Sequence, residues 1–320
     1  MCALFGWLDY SHVLSKKTLS KLTQALANAA ESRGTDATGI AYVSNGSLNI
    51  YKKAKAAHKL RLTIPHDTAA VMGHTRLATQ GNQRDNYNNH PFFGHCDQRF
   101  ALAHNGVLYN DKVLRREHHL PKTRIETDSY IAVQLIEEQK SLSFSSLKKM
   151  AESVSGSFAF TILDEENSLW IVKGSSPMEI VLLPEVGLLV YASTKEILNS
   201  GLRAAGLLRY LQKKIDITEG DIVRIRCDAQ IERETFSYDD YENYYGFGRS
   251  LGYDEDELQY LLDISHYFGA KEEDIELLYD VGYTVWEIEE VLMDRNEFNK
   301  TMQDVRCCCM NKEYNMVGLW

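Results

Sequence analysis

The sequence predicts an α+β sandwich of short strands bracketed by a few helices, followed by a small acidic all-α tail. Two observations carry that expectation. Short apolar, β-rich runs recur through residues 1–238, with only a few helical periodicities between them. The charge also changes sign along the chain: residues 239–320 hold 20 Asp+Glu against 6 Lys+Arg, whereas residues 1–238 hold 25 against 29. The net charge of −10 therefore belongs to the tail. All five prolines (Pro65, Pro91, Pro121, Pro177, Pro184) also precede this change, which places a domain boundary near residue 238 and predicts domains at 2–238 and 239–320.

The elements follow in order. Cys2–Leu8 reads as an apolar strand, and Ser15–Ala30 as a helix with Leu19, Leu22 and Leu26 on one face. Ile40–Val43 and Leu48–Tyr51 flank Ser44-Asn45-Gly46-Ser47, and Asn-Gly between β-rich runs is a hairpin signal. Further strands are expected at Ala70–His74, Phe100–Ala103, Phe158–Leu163, Leu169–Val172, Ile180–Leu183, Leu188–Ala192 and Ile222–Ile225. Thr127 and Asp128 begin a helix running through Glu137, and Phe144–Val154 forms another. In the tail, Gly252, Gly269 and Gly282 are each followed by an acid and an aliphatic residue five and six positions on: Glu257-Leu258, Asp274-Ile275 and Glu287-Ile288. A further apolar residue follows each at Leu261, Leu278 and Val291, and Asp254-x-x-Glu257 and Thr284-x-x-Glu287 fit capping boxes. Three short amphipathic helices are expected there, either packed on the first domain or serving as a docking module.

Composition narrows the function. At 44% apolar and 25% charged, with mean hydropathy −0.33, the chain is neither disordered nor collagenous. A pI near 5.5 argues against a nucleic-acid footprint over the whole surface. No apolar stretch has the length of a membrane span, and the N-terminus lacks a signal-peptide pattern, so a cytoplasmic location is expected. Six cysteines, at 2, 96, 227 and 307–309, make no disulfide framework. His90, His95, Cys96, His118 and His119 lack ligand spacing, so neither a metal nor another cofactor is expected.

Cys2 matters for what its own backbone supplies. Once Met1 is removed, the thiol lies beside an α-amine of reference pKa about 7.7–8.0, near the optimum for a general base at working pH. Nucleophile and base then share one residue, as in the pairing of threonine with its own amine. Polar clusters at element ends supply partners: Arg33-Gly34-Thr35-Asp36-Ala37-Thr38-Gly39 after the first helix, Gly73-His74-Thr75-Arg76-Leu77-Ala78-Thr79-Gln80-Gly81 and His104-Asn105-Gly106-Val107 at strand ends, Asn89-His90-Pro91-Phe92 between them, and Glu126-Thr127-Asp128-Ser129 at a helix start. The arginines and Asp128 suit a substrate bearing a carboxylate and an ammonium. Asn105 and the Gly106 amide suit an oxyanion hole. Structural readings stand beside these: Arg33 and Asp36 as a surface ion pair, Gly106 as a turn.

The ordered set Met1-Cys2-x-x-Phe5-Gly6, Arg33-Gly34-x-Asp36-x-x-Gly39, His74-Thr75-Arg76-x-Ala78-Thr79, Asn89-x-Pro91, His104-Asn105-Gly106 and Thr127-Asp128 resembles the class II glutamine amidotransferase domain, one of the N-terminal nucleophile hydrolases. This domain stands at the front of glucosamine-6-phosphate synthase and amidophosphoribosyltransferase. The resemblance covers roughly residues 2–235. It implies a four-layer αββα sandwich in which Cys2 attacks the glutamine amide and its amine relays the proton. Asn105 and Gly106 would stabilise the oxyanion, Arg76 would bind the carboxylate and Asp128 the ammonium. Thr79 and His90 would join the substrate-binding set, and Arg33 would support the nucleophile. Two departures stand out: Ala3 where the family has glycine, and Leu77 where an aromatic is common.

About 80 residues follow position 238, too few for a synthase domain, and Gly246-Phe-Gly248-Arg-Ser-Leu-Gly252 lacks dinucleotide-fingerprint spacing. The expectation is a glutamine-hydrolysing enzyme that releases ammonia through a γ-glutamyl thioester for a separate acceptor synthase, docked through the acidic tail, with no nucleic-acid or membrane partner. Two alternatives remain open: an amidase for another γ-glutamyl amide, and a non-catalytic binding protein on the same scaffold.

Overall fold

The computed structural model describes residues 2–78, 80–238, 255–280, 283 and 285–316. Compactness divides the chain into units Met1–Tyr244 and Tyr245–Trp320. The boundary expected after residue 238 opens onto 239–254, which lie outside the described residues.

The described part of the first unit contains β1 (Ala3–Asp9), α1 (Lys16–Ala30), β2 (Ala37–Ser44), β3 (Ser47–Lys53), β4 (Ala70–Arg76), β5 (Phe92–His95), β6 (Arg99–Leu108), α2 (Asp111–Glu117), α3 (Tyr130–Glu138), α4 (Phe144–Ser153), β7 (Gly156–Asp164), β8 (Leu169–Lys173), β9 (Glu179–Leu183), β10 (Leu188–Ala192), α5 (Lys195–Ala205), β11 (Lys213–Lys214), β12 (Asp221–Ile225) and β13 (Ile231–Thr235). Two antiparallel sheets form, one ordered β11-β9-β10-β1-β4-β2-β3 and the other β13-β12-β8-β7-β6-β5. Helices α1 and α5 bury Leu19, Leu22, Leu26, Ile197, Leu198 and Leu202 on the outer face of the first sheet. Helices α3 and α4 bury Ile131, Leu135, Leu147 and Met150 on the outer face of the second. Between the sheets lies a third core, including Leu4, Leu8, Met72, Ala101, Ala103 and Ile171. The result is the four-layer αββα sandwich.

Local chemistry sets the element ends. Ser15 accepts from the Thr18 amide at the start of α1, a cap whose loss costs about 1 kcal/mol. Ser143 and Ser146 exchange side-chain and backbone hydrogen bonds at the start of α4. The hairpin at Asn45-Gly46 turns through φ 50° and 66°, the left-handed pair of a two-residue loop. Three strands, β5, β11 and β13, and helices α2 and α5 are additional to the sequence-based expectation. Helix α5 had legible signals: Thr194 caps its start through the Ile197 amide, and Gly206 ends it in the left-handed conformation.

The second unit contains α6 (Glu255–Phe268), α7 (Glu272–Asp280), α8 (Val285–Met293) and α9 (Arg295–Met316). Of the six apolar positions picked out by the glycine repeat, Leu261, Ile275, Leu278 and Ile288 are buried, and Leu258 and Val291 are half-buried. Gly252, Gly282, Asp254 and Thr284 lie outside the described residues. The fourth helix, α9, was not anticipated; Asp294 starts it by accepting from the amides of Asn296 and Glu297. Phe298, Met302 and Val305 then give it a buried stripe. No described helix is long and apolar enough to cross a membrane.

Candidate active site

Strand alternation assembles the site. In β1, Ala3, Phe5 and Trp7 point into the helix-facing core, while Leu4 and Leu8 point between the sheets. Cys2 immediately precedes β1, two residues before Leu4 and so in phase with it. In β4, Ala70 and Met72 share that layer, and His74 and Arg76 continue their phase. In β6, Ala101 and Ala103 do the same, and Asn105 is next in step. The layer is thus apolar along its length and turns polar at one end. The β1–β4 register pairs Ala3 with Thr75 and Leu4 with His74, so one further step sets Cys2 beside Arg76. His74 Nε2 meets the His104 carbonyl oxygen at 3.0 Å, tying the two sheets together at this end.

Cys2 is half-buried, and its Sγ donates to the Leu77 carbonyl at 3.5 Å. Arg33 Nε donates to the Cys2 carbonyl at 2.9 Å, so Arg33 holds the backbone of this residue. Burial pushes the thiol pKa up; the Leu77 hydrogen bond and Arg76 draw it down, and Asp128 raises it again. A thiol of raised pKa stays protonated near neutrality, so a nucleophilic role requires a base beside it. The Ala3 side chain belongs to the helix-facing core, which directs its methyl group away from the thiol's face.

Asn105 is 0% exposed, and neither its Oδ1 nor its Nδ2 has a protein partner. Buried amides are almost always satisfied, which sets Asn105 apart as a candidate site residue. Gly106 follows at φ 135°, where a Cβ would stand 1.9 Å from the Ser157 carbonyl oxygen and 2.9 Å from His104 Nε2. Gly106→Ala is therefore expected to strain the β6–β7 pairing and cost about 3 kcal/mol or more. For a unit of this size that is a fall of roughly 6–12 °C in thermal midpoint, measurable by differential scanning calorimetry.

Arg76 is 2% exposed. Its Nη1 donates to Asn89 Oδ1 at 2.8 Å, and its Nη2 to the carbonyls of Gln80 and Gly81, the latter at 3.0 Å. Asp128 accepts from the Leu108 amide at 2.7 Å and from Ser129 Oγ at 3.2 Å. The charges of Cys2, Arg76 and Asp128 lie close enough to act on one another, which groups these three. His90 is held differently. Its ring lies 4.2 Å from that of His74 and 4.4 Å from that of Phe92, with neither nitrogen bonded to protein. Burial keeps His74, His90 and His104 below the ordinary histidine pKa, so all three are neutral near pH 7. Thr79 lies outside the described residues.

Two contributors received no role from the sequence: Ser129, inside the Glu126–Ser129 cluster, and Lys52. Ser129 bridges His104 Nδ1 at 2.8 Å to Asp128. Lys52 stands outside every motif, yet its Nζ reaches the backbone on both sides of His90. Among the described residues no group of His, Cys, Asp and Glu is arranged to hold a metal ion.

Residues 74–199 match the family described as the glutamine amidotransferase domain. The chain is 33% identical over 186 residues to the glutamine–fructose-6-phosphate aminotransferase (isomerizing) of Bacillus thuringiensis subsp. konkukian, an alignment covering 56% of this chain and 30% of that protein. The namesake from Geobacillus kaustophilus is 29% identical over 236 residues, covering 71% of this chain and 36% of its own length. Among solved structures, the glutamine phosphoribosylpyrophosphate amidotransferase of B. subtilis complexed with ADP and GMP superposes with a TM-score of 0.58 at 20% identity, over 74% of this chain and 49% of that one. The chain thus spans about a third of these relatives' length and about half of that structure. Residues 74–199 thus carry the signature of a glutamine amidotransferase domain, within a unit that has the fold of the N-terminal nucleophile hydrolases.

Proposed function

We propose that the chain hydrolyses the side-chain amide of glutamine, with Cys2 as nucleophile after removal of Met1. The observation that carries this reading is Asn105, a fully buried amide without a protein partner, in phase with Cys2 at the polar end of the inter-sheet layer. Cys2 Sγ attacks the amide carbon and its proton passes to the freed α-amine. Negative charge develops on the amide oxygen, where Asn105 Nδ2 and the Gly106 N–H donate to it. Collapse of the intermediate breaks the C–N bond, and the amine returns the proton so that ammonia leaves. Water then hydrolyses the γ-glutamyl thioester, releasing glutamate and restoring the thiol.

Arg76 pairs with the α-carboxylate and Asp128 with the α-ammonium, charge-assisted contacts to substrate groups that take no part in the bond changes. Thr79 and His90 complete the pocket in this reading, and Arg33 fixes the Cys2 backbone. The domain assignment is 2–238 for glutamine hydrolysis and 239–320 for an acidic module that docks a separate, ammonia-consuming synthase in the cytoplasm.

The test is direct. The chain is mixed with glutamine, quenched in acid within a turnover and weighed intact. A chain lacking Met1 and carrying one glutamyl adduct that maps to Cys2 is the expected species, alongside glutamate in the supernatant. Glutamate release from a chain that retains Met1 overturns the base assignment, and no release under any condition overturns the activity.

A further inference from the structure

Lys52 lies on the edge strand β3, where lysine ordinarily serves to keep a sheet edge from pairing with other chains. Its neighbour Lys53 fits that role, being exposed with its ammonium 6.0 Å from the ring of Tyr51. Lys52 does not. Its half-buried ammonium donates to the carbonyl of Asn89 and, at 2.9 Å, to that of Pro91, and it lies 5.0 Å above the Phe92 ring.

The placement runs through β2. Register sets Lys52 opposite Gly39, and Gly39 opposite His74. A Cβ on Gly39 would stand 2.1 Å from the His90 carbonyl oxygen and 2.8 Å from Pro91 Cδ. Glycine therefore lets the 89–91 segment lie directly on the strand, stacking His90 on His74 from one side while Lys52 closes over it from the other. The segment's first residue, Asn89, is 0% exposed and presents Oδ1 to Arg76 Nη1 at 2.8 Å.

We propose that Lys52 is a positioning residue for substrate binding: by clamping the carbonyls of Asn89 and Pro91 it fixes the Asn89 side chain, which aims the Arg76 guanidinium at the substrate's α-carboxylate. This inference rests on the reading of Arg76 given above. The arrangement has an electrostatic cost that a bystander lysine would not incur. Lys52 stands close enough to Arg76, His74 and His90 for their charges to act on one another; burial first, and the Arg76 charge second, pull its pKa down to about 8. The two carbonyls and the Phe92 face are what offset it.

Steady-state glutamate release by wild type, Lys52→Met, Asn89→Ala, the double variant and Lys52→Arg tests the proposal. Because Arg76 contacts a part of the substrate that does not react, its displacement weakens ground-state and transition-state binding alike. Lys52→Met is expected to raise KM for glutamine about tenfold with kcat within about twofold of wild type, the effect of losing one charge-assisted contact. Asn89→Ala raises KM comparably, and the double variant adds little to either single one, since both act through the same contact. Lys52→Arg, which keeps two N–H donors, restores KM to within about threefold of wild type. Should Lys52→Met fail to fold by circular dichroism, Lys52→Gln replaces it with the same expectation. An unchanged KM, a kcat that falls as far as KM rises, additive effects in the double variant, or no rescue by arginine each overturn the role of Lys52. A wild-type chain that releases no glutamate overturns the underlying reading of Arg76 instead.

Discussion

Cys2→Ala is expected to lower glutamate release by about 10³-fold or more while leaving the thermal midpoint within a degree or two of wild type. Removing a covalent nucleophile abolishes the two-step path, and only binding and oxyanion stabilisation are left to assist water. The fold has little to lose, because the thiol's hydrogen bond to the Leu77 carbonyl is a long 3.5 Å sulfur contact. The pair of measurements separates chemistry from folding. Release at an undiminished rate from the alanine variant would show that another group carries the reaction. The other cysteines with described side chains are poor substitutes: Cys96 has a thiol pushed up to about 11, chiefly by burial, and Cys227 is exposed on the turn after β12.

Asn105→Leu has the second largest expected effect, and its sign differs between the two readouts. Loss of a donor aimed at the developing oxyanion lowers kcat by roughly 10²–10³-fold. The same substitution replaces a fully buried amide, unbonded by protein at both ends, with an apolar side chain of similar size. Removing an uncompensated buried polar group stabilises by about 1–3 kcal/mol, so the melting temperature is expected to hold or rise. A variant less active yet no less stable identifies a residue kept for its chemistry. A variant that melts well below wild type while keeping its kcat would assign Asn105 to packing alone.

Much of this was legible in the sequence because the signals were local. Short apolar, β-rich runs marked most of the central strands, and Asn45-Gly46 announced its own turn. The candidate site was legible as a set of motifs, since Cys2, Arg76, Asn105 and Asp128 sit in short patterns at element ends. What could not be read was anything decided between strands. Lys52 looks like an ordinary edge lysine until register places it over Gly39 and the 89–91 segment. The partnering of Ser129 with His104 joins the residue that precedes α3 to β6, a contact between residues 25 positions apart. The short strands β5 and β11 owe their conformation to the neighbours they pair with rather than to propensity.

The polar end of the inter-sheet layer makes the proposed chemistry a matter of parity. Cys2, Arg76 and Asn105 fall in one phase because each lies an even number of steps from an apolar residue already committed to that layer. Inserting a single residue between Cys2 and Leu4 would leave every group of the site present and turn the thiol toward α1, whereas inserting two would turn it back. The reaction is thus encoded as much in the count of residues between core and terminus as in which residues they are. A change that alters no side chain near the centre can silence it.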